Sequence, residues 1–233
     1  TADSFTIKDF GATDYFNLTV LSTDGPTDAF SLGASTSIGN NMNIQGGTVN
    51  TANNTLSTTN NFTQSGTIAS IFNAGSSTIN IGAAFSITST GGAANPATFN
   101  ADSSTITTGT TFTQSGTSPS TTTYNAGTGS LLIGTNFSKS GTGATFNGSS
   151  GTMTVNGNLN ATSGGPFYAP TSTLTIGGNL STTSSPAVFN ANGGTVVMTP
   201  NTNHTIGVSV ITFHNFTFLD TGLDNIDSTL TFS

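Results

Sequence analysis

The chain has 233 residues, of which only 5% are charged: two Lys, no Arg and nine acidic residues, all Asp, giving a formal net charge of −7. So few basic side chains argue against binding to nucleic acid and to anionic membrane surfaces, because both need Lys or Arg. No apolar run approaches the roughly 20 residues of a membrane-spanning helix, and the absence of Cys excludes disulfide frameworks and Cys-based zinc sites.

The rest of the composition predicts an ordered β protein. Thr, Ser, Asn and Gly dominate, but 17 Phe and a steady supply of Ile, Val and Leu exceed what a disordered chain carries. We therefore expect an apolar core beneath a surface of hydroxyl and amide groups. The scarcity of Lys and Arg leaves few sites for proteases that cut at basic residues, which suits an extracellular location. Because it begins at Thr1 without Met, the chain is expected to be a processed form or a fragment.

In chain order, residues 1–48 are predicted as irregular first rungs of a repeat that becomes regular over residues 49–198. Residues 36–47, TSIGNNMNIQGG, are an incomplete copy in which Met42 takes the third apolar position. In the regular part, a first apolar anchor recurs at intervals of 23, 27, 25, 22, 21 and 22 residues. These first anchors are Val49, Phe72, Phe99, Tyr124, Phe146, Phe167 and Phe189.

Two further anchors follow each first anchor at fixed distances. A second apolar residue comes seven positions later, and a third six positions after that; the third anchors are Phe62, Phe85, Phe112, Phe137, Leu159 and Leu180. Only the last repeat fails, with Thr202 at the third position. All variation in length falls between a third anchor and the next first anchor. A constant spacing of the anchors together with one loop of variable length indicates a β-solenoid. Each rung must align with the rung below it, whereas one loop can extend outward at little cost.

The local pattern agrees with strands. Stretches such as STLTIGG (residues 172–178) alternate apolar and polar residues, Gly and Asn supply the corners, and no amphipathic segment is long enough for a helix. The sequence therefore predicts an all-β fold: a parallel β-solenoid forming a single domain over residues 1–233, in its right-handed β-helix form, with about 21–27 residues per rung. Adjacent rungs would lie about 4.8 Å apart.

This fold predicts ladders of stacked side chains. The core ladders would comprise Phe72, Phe99, Tyr124, Phe146, Phe167 and Phe189 on one side, and Phe62, Phe85, Phe112 and Phe137 on another. An amide ladder at a corner would comprise Asn73, Asn100, Asn125, Asn147 and Asn190. The hexapeptide FTQSGT occurs at residues 62–67 and again at residues 112–117. Gln64 and Gln114 should therefore occupy equivalent positions two rungs apart, where they could form a polar ladder at the corner.

The last segment, residues 199–233, resembles the N-terminal one. YFNLTVLSTDG (residues 15–25) and FHNFTFLDTG (residues 213–222) share a pattern in which Asn17 matches Asn215, so we expect the chain to start and finish in the same phase. It would be one module of a longer array, or its last rung would receive the first rung of another copy and so build a filament. No capping helix is evident, which favours continuation. The predicted subunit contacts are Tyr15, Phe16, Leu18, Val20, Phe213, Phe216 and Phe218.

The acidic residues cluster towards the two ends, with only Asp102 between them. The simpler interpretation is that they keep open sheet edges solvated. The alternative is that acids of both ends share a calcium ion, because hard oxygen ligands suit it. The candidate ligands are Asp24, Asp28, Asp220, Asp224 and Asp227. No EF-hand loop is present, and no other cofactor is expected.

Catalysis is not expected. His204 and His214 are the only imidazoles and no partner pattern accompanies them, and no G-x-S-x-G elbow is present. Thr pairs at equivalent sites, such as Thr152 and Thr154, are similar to the face of ice-binding β-helices, but Leu132 and other residues interrupt the array. Glycans are a further expectation: nine N-x-Ser/Thr sequons occur, and those at Asn61, Asn136 and Asn179 each precede an inward anchor and should face solvent.

Units such as FNAGSSTINIGAAFS (residues 72–86) and FNGSSGTMTVNGNL (residues 146–159) resemble the repeats of large secreted bacterial surface proteins, of the adhesin and haemagglutinin-like β-helix kind. The resemblance covers nearly the whole chain and implies an exported, non-enzymatic protein at the cell surface. Our leading expectation is a structural subunit of an extracellular filament, assembled head to tail. The alternatives are a stalk segment of a large adhesin and, less favoured, an ice-binding β-helix.

Overall fold

The computed structural model describes residues 2–12, 14–66, 68–89, 95–162, 164–182, 189–199, 204–207, 211–219 and 230–232. Within them the chain forms three parallel sheets of nine, nine and ten strands and one short 3-10 helix, Gly25–Thr27. No helix in this part of the chain is long and apolar enough to cross a membrane. The predicted all-β parallel solenoid is confirmed, with about 23 residues per rung, while its right-handed sense stays a prediction.

The chain visits the three sheets in a fixed order. Sheet A contains β1 (Ser4–Ile7), β3 (Ala29–Leu32), β6 (Gly47–Asn50), β9 (Ser70–Asn73), β12 (Ala97–Asn100), β15 (Thr122–Asn125), β18 (Ala144–Asn147), β21 (Phe167–Tyr168) and β24 (Phe189–Asn190). Sheet B contains β4 (Thr36–Ile38), β7 (Leu56–Thr58), β10 (Thr78–Ile81), β13 (Thr105–Thr108), β16 (Ser130–Ile133), β19 (Thr152–Val155), β22 (Thr173–Ile176), β25 (Thr195–Met198) and β27 (Asn215–Phe218). Sheet C contains β2 (Leu18–Val20), β5 (Met42–Ile44), β8 (Phe62–Ser65), β11 (Phe85–Ser89), β14 (Phe112–Gly116), β17 (Phe137–Ser140), β20 (Leu159–Ala161), β23 (Leu180–Thr182), β26 (His204–Gly207) and β28 (Leu230–Phe232).

Each strand pairs with the strands one rung below and one rung above it, so equivalent residues form columns along the axis. In sheet A the first anchors lie in one inward column, and successive rings stack with centroids 4.7–5.5 Å apart. In sheet C the third anchors do the same, with Phe85 and Phe112 stacked at 4.3 Å and the neighbouring pairs edge to face. Both predicted core ladders are confirmed. Burying a Phe contributes about 1.5–3 kcal/mol, so these columns are a large part of what stabilises the fold.

The amide ladder follows the edge of sheet A. The Nδ2 groups of Asn73, Asn100, Asn125 and Asn147 each donate to Oδ1 of the Asn one rung below, at 2.8 Å, beginning from Asn50. The prediction is wrong for Asn190, because Tyr168 occupies the rung between it and Asn147. Instead, Oδ1 of Asn190 accepts the backbone N–H of Asn192 at 2.8 Å.

A second Asn series, which the sequence did not suggest, lies at the corner between sheets B and C. Here the side-chain oxygen of one rung accepts the backbone N–H of the equivalent residue in the next rung. One run comprises Asn17, Asn41 and Asn61, and another comprises Asn136, Asn158 and Asn179. Asn61, Asn136 and Asn179 are exposed, as expected from their place before an inward anchor, and their glycosylation stays a prediction.

The inward face of sheet C is partly polar near sheet A. Gln64 and Gln114 are fully buried, and their Nε2 groups donate to backbone carbonyls of sheet A, those of Thr98 and Thr145 among them. Ile87 lies between the two Gln residues in the same column, so they form no continuous polar ladder. Lys139 follows Gln114 in this column and is also fully buried.

Candidate assembly surfaces at the two ends of the solenoid

The first rung, residues 4–21, leaves sheet edges without a partner strand among the described residues. In sheet A the edge strand is β1, and in sheet C it is β2. In sheet B the first rung contributes a single bridge, between Tyr15 and Ile38. Unpaired edges present backbone N–H and C=O groups that a further strand can bind.

Phe5 is the first ring of the sheet A ladder. It pairs with Phe30, which pairs with Val49, and the Phe5 and Phe30 rings stack at 5.1 Å and 19°. Phe5 lies on the same side of β1 as the core residue Ile7, so its ring faces inward. Its exposed fraction is nevertheless 49%, against 0% for Phe72. The ring is half exposed because no rung lies below it among the described residues.

Tyr15 and Leu18 are the corresponding first members of inward columns in sheets B and C. Tyr15 lies beneath Ile38, and Leu18 lies beneath Met42. Both are only partly buried. The predicted contact residue Val20 is inward but buried, at 3% exposure, whereas Phe16 is 71% exposed. Of the seven large apolar side chains exposed in the described residues, four lie in this rung: Phe5, Phe10, Phe16 and Leu21.

Asp14 fixes the first rung to the second. Its carboxylate accepts the backbone N–H groups of Phe10 at 2.6 Å, Gly11 at 3.1 Å and Ser37 at 2.6 Å. The pKa of Asp14 lies below its ordinary value, mainly because its carboxylate accepts the hydrogen bond from the Ser37 backbone N–H. The carboxylate therefore takes the place of a strand carbonyl at the edge of β4, a role that the sequence did not reveal.

Of the calcium candidates, Asp24 and Asp28 lie among the described residues, and the Asp28 carboxylate has ordinary structural contacts. The Asp28 carboxylate accepts the hydroxyl of Ser22 at 2.7 Å and the backbone N–H of Asp3 at 3.1 Å, and the Ser22 bond is the main reason why its pKa is lowered. Asp220, Asp224 and Asp227 lie outside the described residues. No group of three His, Cys, Asp or Glu side chains that could hold a metal occurs in the described part of the chain. Calcium binding stays a prediction.

At the other end, three Phe side chains lie at the top of inward columns. Phe213 packs against Phe189, the last paired ring of the sheet A ladder, at 6.1 Å between centroids. Phe216 and Phe218 belong to β27, the last strand of sheet B. All three are partly exposed while packed against the core. His204 below them is fully buried, and its ring nitrogens face the carbonyl oxygens of Gly178 and Thr199.

The phase match inferred from the similar terminal segments is wrong. Asn17 precedes β2 in sheet C, whereas Asn215 begins β27 in sheet B. The two stretches therefore share a local strand pattern but not a position around the axis. The columns give the correct correspondence: in sheet B, the column that starts at Tyr15 ends at Phe218.

The Thr pairs lie on the outer face of sheet B. One column carries a hydroxyl in six consecutive rungs: Thr78, Thr105, Ser130, Thr152, Thr173 and Thr195. The neighbouring column is interrupted by Leu132, which is 39% exposed, and by Val197. The array has the interrupted pattern expected from the sequence, and ice binding stays a prediction.

Comparison of the chain with protein-family models, with curated proteins and with solved structures found no match.

Proposed function

We propose that this protein is the structural subunit of an extracellular filament in which solenoids stack end to end. The observation that carries the proposal is that inward columns of the core stop, partly exposed, at both ends of the described solenoid. Covering a surface of this kind with an identical rung lowers the free energy, because it removes apolar side chains from water.

The apolar side chains at the ends support this function. Phe5 is 49% exposed in the first rung, and Phe213, Phe216 and Phe218 are partly exposed at the top. Covering apolar surface contributes about 25 cal/mol for each Å² removed from water. In addition, each new strand pair would satisfy edge N–H and C=O groups. A contact between two different ends of the same molecule does not close on itself, so it propagates as a filament.

A stalk segment of a large adhesin is the second candidate. The long regular middle of the rod favours it, because Asp102 is its only exposed charge between β3 and β25 among the described residues. Its outer faces otherwise carry mainly hydroxyl and amide groups. Such a segment would act as a spacer and would not polymerise by itself.

Sedimentation velocity and electron microscopy of the purified chain separate the two candidates. A filament subunit should give species whose mass rises with concentration, and fibres with an axial repeat of about 48 Å, since sheet C has ten strands spaced by about 4.8 Å. Monodisperse rods of one subunit length at all concentrations up to the solubility limit would refute the filament and leave the stalk.

A further inference from the structure

The sheet A ladder ends in an accessible aromatic ring on both sides. At the N-terminal end Phe5 stacks on Phe30 and has its other face bare. At the other end Phe213 packs on Phe189 and is partly exposed. The two rings therefore lie at opposite ends of one column of the core.

In sheets B and C, too, the first and the last described strands lie at opposite ends of the same sheet. The sheet B column that starts at Tyr15 finishes at Phe218. Sheet C starts with β2 and finishes with β28. The last described strand thus belongs to sheet C, and the chain order places sheet A next, which is where β1 begins. A second copy shifted along the axis would therefore continue all three sheets, with its sheet A on sheet A, its sheet B on sheet B and its sheet C on sheet C of the first copy.

We infer that the joint between subunits is in phase: Phe5 of one copy stacks on Phe213 of the copy below it, and Tyr15 lies over Phe218. The inference rests on the proposed function and names its partner surface, which is the top of a second copy of this chain. A joint rotated by one sheet would place Phe5 over β27 or β28 instead. It would also break the sheet A column, in which successive rings stack from Phe72 through Phe189.

The residues predicted from the similar termini would give a different joint. Matching Asn17 to Asn215 places sheet C over sheet B. It also gives a contact role to Phe16, whose ring is 71% exposed, and it leaves the inward ring of Phe5 without a role. The two joints therefore predict different pairs of neighbouring residues.

Cysteine cross-linking tests the joint directly, because the chain has no Cys. The test variant carries Phe5→Cys and Phe213→Cys, and the matched control carries Phe16→Cys and Phe213→Cys. A disulfide forms only when the two Cα atoms come within about 7 Å. Under mild oxidation the test variant should give a reducible ladder of dimers, trimers and longer species, with at least tenfold more cross-linked material than the control. Equal yields, or a control that links better, would overturn the in-phase joint.

A second measurement covers the case in which the Cys substitutions disturb the first rung. Phe5→Ala should raise the critical concentration for assembly at least tenfold. Phe16→Ala, which removes a 71% exposed ring outside the ladder, should change it less than twofold. If the wild-type chain forms no polymer, the proposed function fails. If it polymerises, but Phe5→Ala assembles like Phe16→Ala, the filament stands and the in-phase joint is wrong.

Discussion

Replacing Lys139 by Met should stabilise the protein at neutral pH and remove a pH dependence. The Lys139 side chain is fully buried in the solenoid, and its Nζ donates to the carbonyl oxygen of Gly165. No carboxylate forms an ion pair with it in the described part of the chain, and its neighbours in the column are Gln114 and Ala161. Burial lowers the pKa of Lys139 from 10.5 to about 8. The folded protein therefore bears the cost of a desolvated charge.

The size of that cost follows from the pKa difference. Each pKa unit corresponds to about 1.4 kcal/mol, so protonated Lys139 lowers the free energy of unfolding by about 3 kcal/mol at pH 7. Between the folded and unfolded pKa values the unfolded chain binds more protons, so stability rises with pH. From pH 7.5 to 9.5 the gain should be about 2 kcal/mol. Lys139→Met removes the charge and loses one hydrogen bond of about 1 kcal/mol. The variant should thus be about 2 kcal/mol more stable at pH 7.5.

Equilibrium unfolding in urea, followed by circular dichroism at pH 7.5, 8.5 and 9.5, measures both effects. Lys8→Met is the matched control, because Lys8 is exposed. The pH range stops at 9.5 because Tyr side chains of the unfolded chain ionise near pH 10, whereas burial raises the pKa of Tyr124 in the folded protein. At higher pH, Tyr124 would therefore add its own pH dependence to the free energy of unfolding. A wild-type stability that is flat or falls across this window, or a Lys139→Met variant less stable than wild type at pH 7.5, would refute the reasoning.

Three further substitutions test the rungs. Asp14→Asn should cost about 1–3 kcal/mol at pH 7, because the charge-assisted bond from Ser37 is weakened. In urea titrations that difference should shrink as the pH falls below the ordinary Asp pKa of about 3.9, because the unfolded chain then binds a proton while the folded carboxylate, whose pKa is lowered, stays ionised to a lower pH; a constant difference would contradict this. Gly127→Ala should lower the thermal midpoint strongly, since Gly127 has φ +67° and an added Cβ would lie 1.9 Å from the carbonyl oxygen of Asp102; an unchanged midpoint would count against the corner geometry. Tyr168→Asn should extend the amide ladder and add about 0.5–1 kcal/mol to the free energy of unfolding, and a loss of stability would show that the Tyr ring is preferred there.

Much of the architecture could be predicted because the repeat has fixed internal spacing. The 13-residue frame set the strands of the regular rungs and the columns of Phe72 and Phe62. Phe5 and Phe30 were missed for a specific reason: the first anchors were sought before Asn or Tyr, and here Thr6 and Ser31 follow instead. The spacing of 25 residues between the two Phe was a usable signal.

Contacts between side chain and backbone could not be predicted in the same way. Asp14 binds Ser37 across 23 residues, and nothing in the local sequence distinguishes it from the other acids near the N terminus. Lys139 occupies a position that is Gln114 one rung earlier, so the pattern marked it as inward only once the register was known. The error in phase has a related cause: every strand alternates polar and apolar residues, so similar strands belong to different sheets.

The first rung shows why assembly and end stability are connected. An end rung pairs on one side only, so it lacks about half of the contacts that an internal rung makes. At the N-terminal end, the three backbone hydrogen bonds to Asp14 compensate in part and hold Tyr15 against Ile38 before any partner arrives. A surface ordered in advance loses less entropy on binding. A chain with Asp14→Asn should therefore assemble more weakly even where Phe5 is intact, because the rung that presents the ring is less firmly held.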